Sequence, residues 1–157
     1  MNPASLYHKL NGLLARLGGL LRSPFLLLIR LYWGWGFCQA GWGKLTHLER
    51  TAGYFASLHL PAPKLNALAA GSVECLGGLL LLLGLGGRVV PLPLLFTMIV
   101  AYATAESEAV HALTSDPDKF VSAAPFLFLL AALIILVFGP GKLALDALLA
   151  KKTSSEE

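Results

Sequence analysis

The chain has 157 residues, 56% of them hydrophobic and 13% charged, and its mean hydropathy is +0.69. That balance excludes an ordinary soluble domain; at this length it leaves room for a few spans of about 20 residues each and for no separate soluble domain. The formal charge of +3 comes from Lys and Arg residues scattered singly, which argues against a nucleic-acid surface and suits loops that flank membrane spans.

Residues 1–23 carry Leu6, Leu10, Leu13, Leu14, Leu20 and Leu21 among Lys9, Arg16 and Arg22, the pattern of an amphipathic helix lying in the membrane interface. The competing reading is a secretory signal, because Cys38-Gln39-Ala40 sets small residues at a cleavage-site spacing. Arg30 and three tryptophans after Pro24 argue against it.

A first span is predicted over 24–43, with Pro24 in its first turn and Trp42 and Lys44 at its outer end. The loop that follows holds a short interfacial helix over 49–58, stopped before Pro61. A second span covers 64–86 and closes at Gly86-Gly87-Arg88. A third covers 89–106 and tolerates Pro91 and Pro93 in its first turn. The acidic connector holds Glu108, Asp116 and Asp118, with Asp116-Pro117 as a break. A fourth span covers 120–139, and residues 141–157 form a surface amphipathic segment and a disordered tail.

The expected fold is therefore all-α: an integral membrane four-helix bundle over 24–140, with an interfacial N-terminal helix. Four spans put both termini on one side. Seven basic residues (Lys9, Arg16, Arg22, Arg88, Lys142, Lys151, Lys152) against four (Lys44, Arg50, Lys64, Lys119) assign that side to the cytoplasm.

Glu74 is the anomaly, a carboxylate near the middle of the second span. Ala67, Gly71, Glu74 and Gly78 share one helical face, and small residues there let a neighbouring helix approach, which puts Glu74 inside the bundle. A charge at that depth costs at least about 2.5 kcal/mol, so it is neutralised, paired or put to a task. On the first span Arg30, Trp33, Phe37, Gly41 and Lys44 share a face, and Arg30 is the candidate partner. Counting from the inner boundary puts Arg30 at about 9 Å and Glu74 at about 18 Å, a gap that a long side chain narrows. Interior polar glue that fixes helix register is the alternative.

Further polar groups gather toward the outer ends: Thr97, Thr104, Glu106 and Glu108 with Tyr102 and His111 on the third span and its connector, and His47 and His59 on the first loop. With Trp42, Tyr54 and Phe55 as flat walls they outline a cleft for a ring-shaped lipid-soluble ligand; an aromatic belt with solvated loop charges is the plainer reading. The histidines lack metal-site spacing, and Cys38 and Cys75 form no CxxC motif; they read as buried thiols, with a disulfide between them the lesser alternative. No Gly-rich phosphate loop, HExxH or Walker motif is present.

The stretches RLYWGWGFCQAGWGKL, GYFASLHLPAP and VECLGGLLLLLGLGGR together resemble the DoxX family of small four-helix membrane proteins, over roughly 25–140. By position the resemblance puts Arg30, Lys44, Pro61, Glu74 and Arg88, with His111, among the family's characteristic residues. It implies a bacterial inner-membrane bundle associated with redox work, including quinone-linked sulfur oxidation in the related DoxD proteins. Other relatives look like assembly factors.

Two readings follow. In the first the protein is a redox-associated subunit whose cleft binds a quinone, with Glu74 handling protons and Arg30 tuning it. A soluble or membrane partner protein supplies electrons, because the chain has no metal or flavin motif. Trp33, Phe37, Trp42, Lys44, His59, Tyr102, Glu106 and His111 are the candidate binding residues. In the second the bundle is a scaffold with Glu74 and Arg30 as interior glue, and homo-oligomerisation is open in both.

Overall fold

The computed structural model describes residues 3–153, which are 81% helix with no strand. Eight helices follow in order: α1 (Pro3–Thr46), α2 (Leu48–Ser57), α3 (Pro63–Leu83), α4 (Pro91–Thr104), α5 (Ser107–His111), α6 (Pro117–Ser122), α7 (Pro125–Phe138) and α8 (Leu145–Thr153). The predicted tail beyond Thr153 lies outside the described residues.

Proline and glycine set most of these boundaries. Pro63, Pro91, Pro117 and Pro125 each open a helix in the first turn, where a missing N–H costs nothing. Gly84, at φ 71°, ends α3 in the left-handed conformation, with the Leu85 amide donating back to the Leu80 carbonyl at 2.9 Å.

Pro24 behaves differently from the boundary expected there. Helix α1 runs through it without a break. The ring deletes one i→i−4 hydrogen bond, but the leucines and arginines on both sides are strong helix formers and keep the turns before and after it helical. Its first twenty residues accordingly stand as a rod with Leu6, Leu10, Leu13, Leu14, Leu17, Leu20 and Leu21 all exposed.

Two helices, α1 and α3, are long and apolar enough to cross a membrane. Helices α4 and α7 are narrower than the expected segments 89–106 and 120–139. At 14 residues each they extend about 21 Å, short of a hydrocarbon core of about 30 Å. The reason in α7 is local: Ala123 is extended at ψ 142°, so residues 117–122 fold as a separate turn of helix.

Helix α1 packs along α3, α3 along α4, α4 along α7, and α7 returns to α1. Inside this ring Leu26, Phe37, Leu81, Leu94, Met98, Ala132 and Ile135 form the core. Leu79, Phe96, Ile99, Leu133 and Val137 stay exposed on its outside, as lipid-facing residues do.

The tightest contact is between α1 and α3. A Cβ at Gly34 would stand 2.9 Å from the Leu82 nitrogen, and one at Gly78 would stand 2.6 Å from the Cys38 nitrogen and 2.7 Å from the Gly34 carbonyl. A Cβ at Gly41 would meet the Cys75 nitrogen closer still. The two backbones touch, and only glycine fits. Gly78→Val and Gly41→Val are each expected to lower stability by about 3 kcal/mol or more, at the severe end of overpacking, because backbone has to move. Gly12→Val, at a position with nothing within 4 Å, is expected to be tolerated. Thermal unfolding of the three variants in mild detergent checks the difference.

Candidate functional site

Glycine contact sets the register of the antiparallel pair, and register decides who meets Glu74. Gly34 lies against Gly78, and Gly41 lies against Gly71 and Cys75. Three residues past Gly41, on the same side of α1, comes Lys44. Its Nζ lies 2.5 Å from Glu74 Oε2, with the glutamate side chain 4% exposed and the lysine 27% exposed. The carboxylate is thus buried and paired, and the ammonium reaches from it toward the surface.

The pairing of Arg30 with Glu74 is not made. Arg30 lies beside Gly84 at the far end of α3, ten residues or about 15 Å along the helix from Glu74. Depth counted from span boundaries left the two within reach; close glycine packing shifts the register and sets them apart. Arg30 is fully buried and donates from Nη2 to the Leu143 carbonyl at 2.6 Å, while its Nε has no partner.

Lys44 also lines a surface groove of about 360 Å³ between α1 and α2, together with Ala40, Gly43, His47, Arg50, Thr51, Tyr54 and Phe55. Polar donors from one helical edge and two aromatic rings from α2 therefore converge beside the Lys44–Glu74 pair. Of the residues predicted for the cleft, His47, Tyr54 and Phe55 lie here, and Arg50 and Thr51 join them.

The remaining candidates are dispersed. Tyr102 is buried and donates its hydroxyl to the Phe120 carbonyl at 2.8 Å, its ring stacked on Phe120. Phe37 is core, edge-on to Phe128, and Trp33 packs on the same ring. Trp42 is exposed, as are His59 in the α2–α3 loop and His111 at the end of α5; Glu106, before α5, is half-buried. None of these lines the groove. The single outer cleft drawn from the sequence is instead a groove at the α1–α2 elbow, with a separate tyrosine anchor under α6.

Cys38 and Cys75 are free thiols; Cys38 Sγ donates to the Cys75 carbonyl at 3.4 Å and no disulfide joins them. No group of three or more His, Cys, Asp or Glu able to hold a metal occurs among the described residues.

Asp146 was missed altogether. Its carboxylate accepts from the amides of Gly86 (3.2 Å) and Gly87 (2.5 Å), and its own amide donates to the Gly84 carbonyl at 3.2 Å. It clamps the turn after α3 to the start of α8. The available signal was that Asp146 is the lone acid between Lys142 and Lys151.

These features define a class: a small helical membrane protein with a buried carboxylate–ammonium pair between two helices in backbone contact. A family profile described as DoxX matches residues 25–107, and the chain belongs to that family. It is 31% identical over 144 residues to "Uncharacterized membrane protein Rv3486" of Mycobacterium tuberculosis, covering 84% of this chain and 85% of that one. It is 30% identical over 125 residues to "Putative oxidoreductase CatD" of Bacillus subtilis, covering 80% and 87%. No solved structure gives a significant match.

Removing one member of a buried pair strands the other. Lys44→Met is expected to cost about 3 kcal/mol, the low end for buried pairs because the lysine is partly exposed. Glu74→Leu with Lys44→Met is expected to restore most of that loss. A double-mutant cycle on unfolding in detergent measures the coupling.

Proposed function

We propose that this DoxX protein is a multi-pass subunit of the bacterial inner membrane that binds a quinone at the α1–α2 groove and serves a partner oxidoreductase. In this reading the four spans are α1, α3, α4 with the turns that flank it, and α6 together with α7, and both termini face the cytoplasm, on the side with more basic residues. The observation that carries the reading is the Lys44–Glu74 pair, buried at one end and open to an aromatic-walled groove at the other. The name of the Bacillus relative supports a redox association.

The groove's chemistry fits such a ligand. Lys44 and Arg50 offer donors to ring carbonyl oxygens, the Thr51 hydroxyl being spent on the His47 carbonyl, and Tyr54 and Phe55 offer faces for a flat ring. A bound quinone carries two electrons and two protons between its oxidised and reduced forms. Lys44 is the group within reach of both groove and carboxylate: as the partner supplies the two electrons, each of the two protons passes to the ring oxygens from the Lys44 ammonium, which the buried Glu74 carboxylate holds charged and which takes its proton back from water at the exposed side of the groove. Arg30, lying about 15 Å away along α3, takes no part in that step and holds the α7–α8 connection.

A scaffold is the second reading, favoured by the exposed leucines of the first half of α1, an apolar stripe suited to holding another protein. Protein purified in mild detergent from its own membranes separates the two. The redox reading expects about one extractable quinone per chain, lost in Lys44→Gln assayed well below its lowered Tm, where helix content still matches wild type. Bound partner proteins with no quinone, in wild type and variant alike, would leave the scaffold standing and overturn the redox subunit.

A further inference from the structure

At the inner end of the helices two arginines converge from distant parts of the chain. Arg22 of α1 donates from Nη2 to the Phe138 carbonyl at 2.8 Å, and Arg88, after the α3–α4 glycine turn, donates from Nη2 to the Val137 carbonyl at 3.3 Å. Those are consecutive residues at the last turn of α7, whose final carbonyls have no partner within the helix. The Arg22 guanidinium also lies 5.6 Å from the Phe138 ring centroid.

Capping uses little of what these side chains offer. A guanidinium has five N–H donors, and one of each is spent on a carbonyl. Neither arginine forms an ion pair among the described residues, and the neighbouring Asp146 is occupied by the Gly86 and Gly87 amides. Both arginines are exposed. Two positive charges thus cap consecutive carbonyls, with most of their donors turned to no carboxylate among the described residues.

The surroundings are apolar. Phe25 lies one turn after Arg22 on α1, Val89 follows Arg88, and Val137 and Phe138 are the capped residues themselves; all four are half or more exposed. Paired guanidinium groups directly beside an exposed apolar wall match a phospholipid in both halves, the headgroup phosphate on the arginines and the acyl chains on the wall. A free phosphate would match the first half only.

We propose that Arg22 and Arg88 form a headgroup site for an anionic phospholipid of the surrounding bilayer at the end of α7. The site is independent of the quinone groove and lies near the middle of α1, about 27 Å along that helix from Ala40 of the groove. Native mass spectrometry of the full chain from micelles holding equal phosphatidylglycerol and phosphatidylcholine tests it. Two arginines predict a preference of roughly 30-fold for the anionic lipid. Arg88→Gln is expected to remove about five-fold of it, and Arg22→Gln with Arg88→Gln nearly all, since glutamine keeps an N–H for the carbonyl but no charge. A wild-type ratio near one overturns the proposal whether or not the double variant folds. A preference unchanged in Arg88→Gln overturns it also, as does displacement of the lipid by millimolar inorganic phosphate, which would make this a plain anion site.

Discussion

Where Gly34 and Gly41 of α1 lie against Gly78 and Gly71 of α3, two helix backbones come into van der Waals contact, and neither can slide or rotate without a clash. In a membrane such contacts matter more than in water, because lipid tails cover an apolar helix face as well as another helix does and hydrophobic burial gives little drive to associate. Dispersion between close surfaces has to do that work. It also fixes geometry: one register puts Lys44 on Glu74 and puts Arg30 beside Gly84. A shift of one helical turn, about 5.4 Å, would part the ion pair and press Cβ-bearing residues into the backbone opposite.

The glycine face of α3 was legible from spacing, since Ala67, Gly71, Glu74 and Gly78 recur at steps of three and four and all are buried. The partner of Glu74 was not. Lys44 shares a face with Arg30 in any helical projection, but a projection has no depth. Depth was taken from where apolar runs end, and that ruler put Lys44 at the membrane boundary as an anchor. Close packing of α1 on α3 is a property of two helices together, and no count along either one contains it. The same limit applies to the cleft: Tyr102, Glu106 and His111 sit toward the outer end of their segment just as Tyr54 and Phe55 sit toward theirs, yet α2 packs on α3 and α1, whereas α5 packs on α4 and α6 on α7. Height was readable; azimuth was not.

The two ends of the ring are built by different means. At one end α1 turns into α2 within a residue, and α2 lies against α3, leaving polar and aromatic side chains around the groove. At the other end backbone groups are exposed by the left-handed turn after α3 and the finish of α7, and side chains from elsewhere satisfy them. Asp146 takes two amides; Arg22, Arg30 and Arg88 each take a carbonyl between Val137 and Leu143. Arginine suits this place because its charge favours a helix C-terminus and its stem crosses apolar surface.

A buried ion pair is weak support for stability, since well-packed apolar residues of the same volume often do as well or better. Interior hydrogen bonds in membrane proteins are worth only about 0.6 kcal/mol on average. Register here needs neither, because the glycines already specify it. Glu74 is therefore surplus to the packing that surrounds it. The pair is also asymmetric in a way that glue does not require: the carboxylate is sealed at 4% exposure, and the lysine is left at 27% with its stem along a groove. A pair that served only to hold helices together would be best placed where both members are equally sheltered from water and screening. A sealed carboxylate behind an ammonium that opens on a groove keeps that ammonium charged and aimed at the open space, and it is this asymmetry, more than the burial, that sets the pair apart from interior glue.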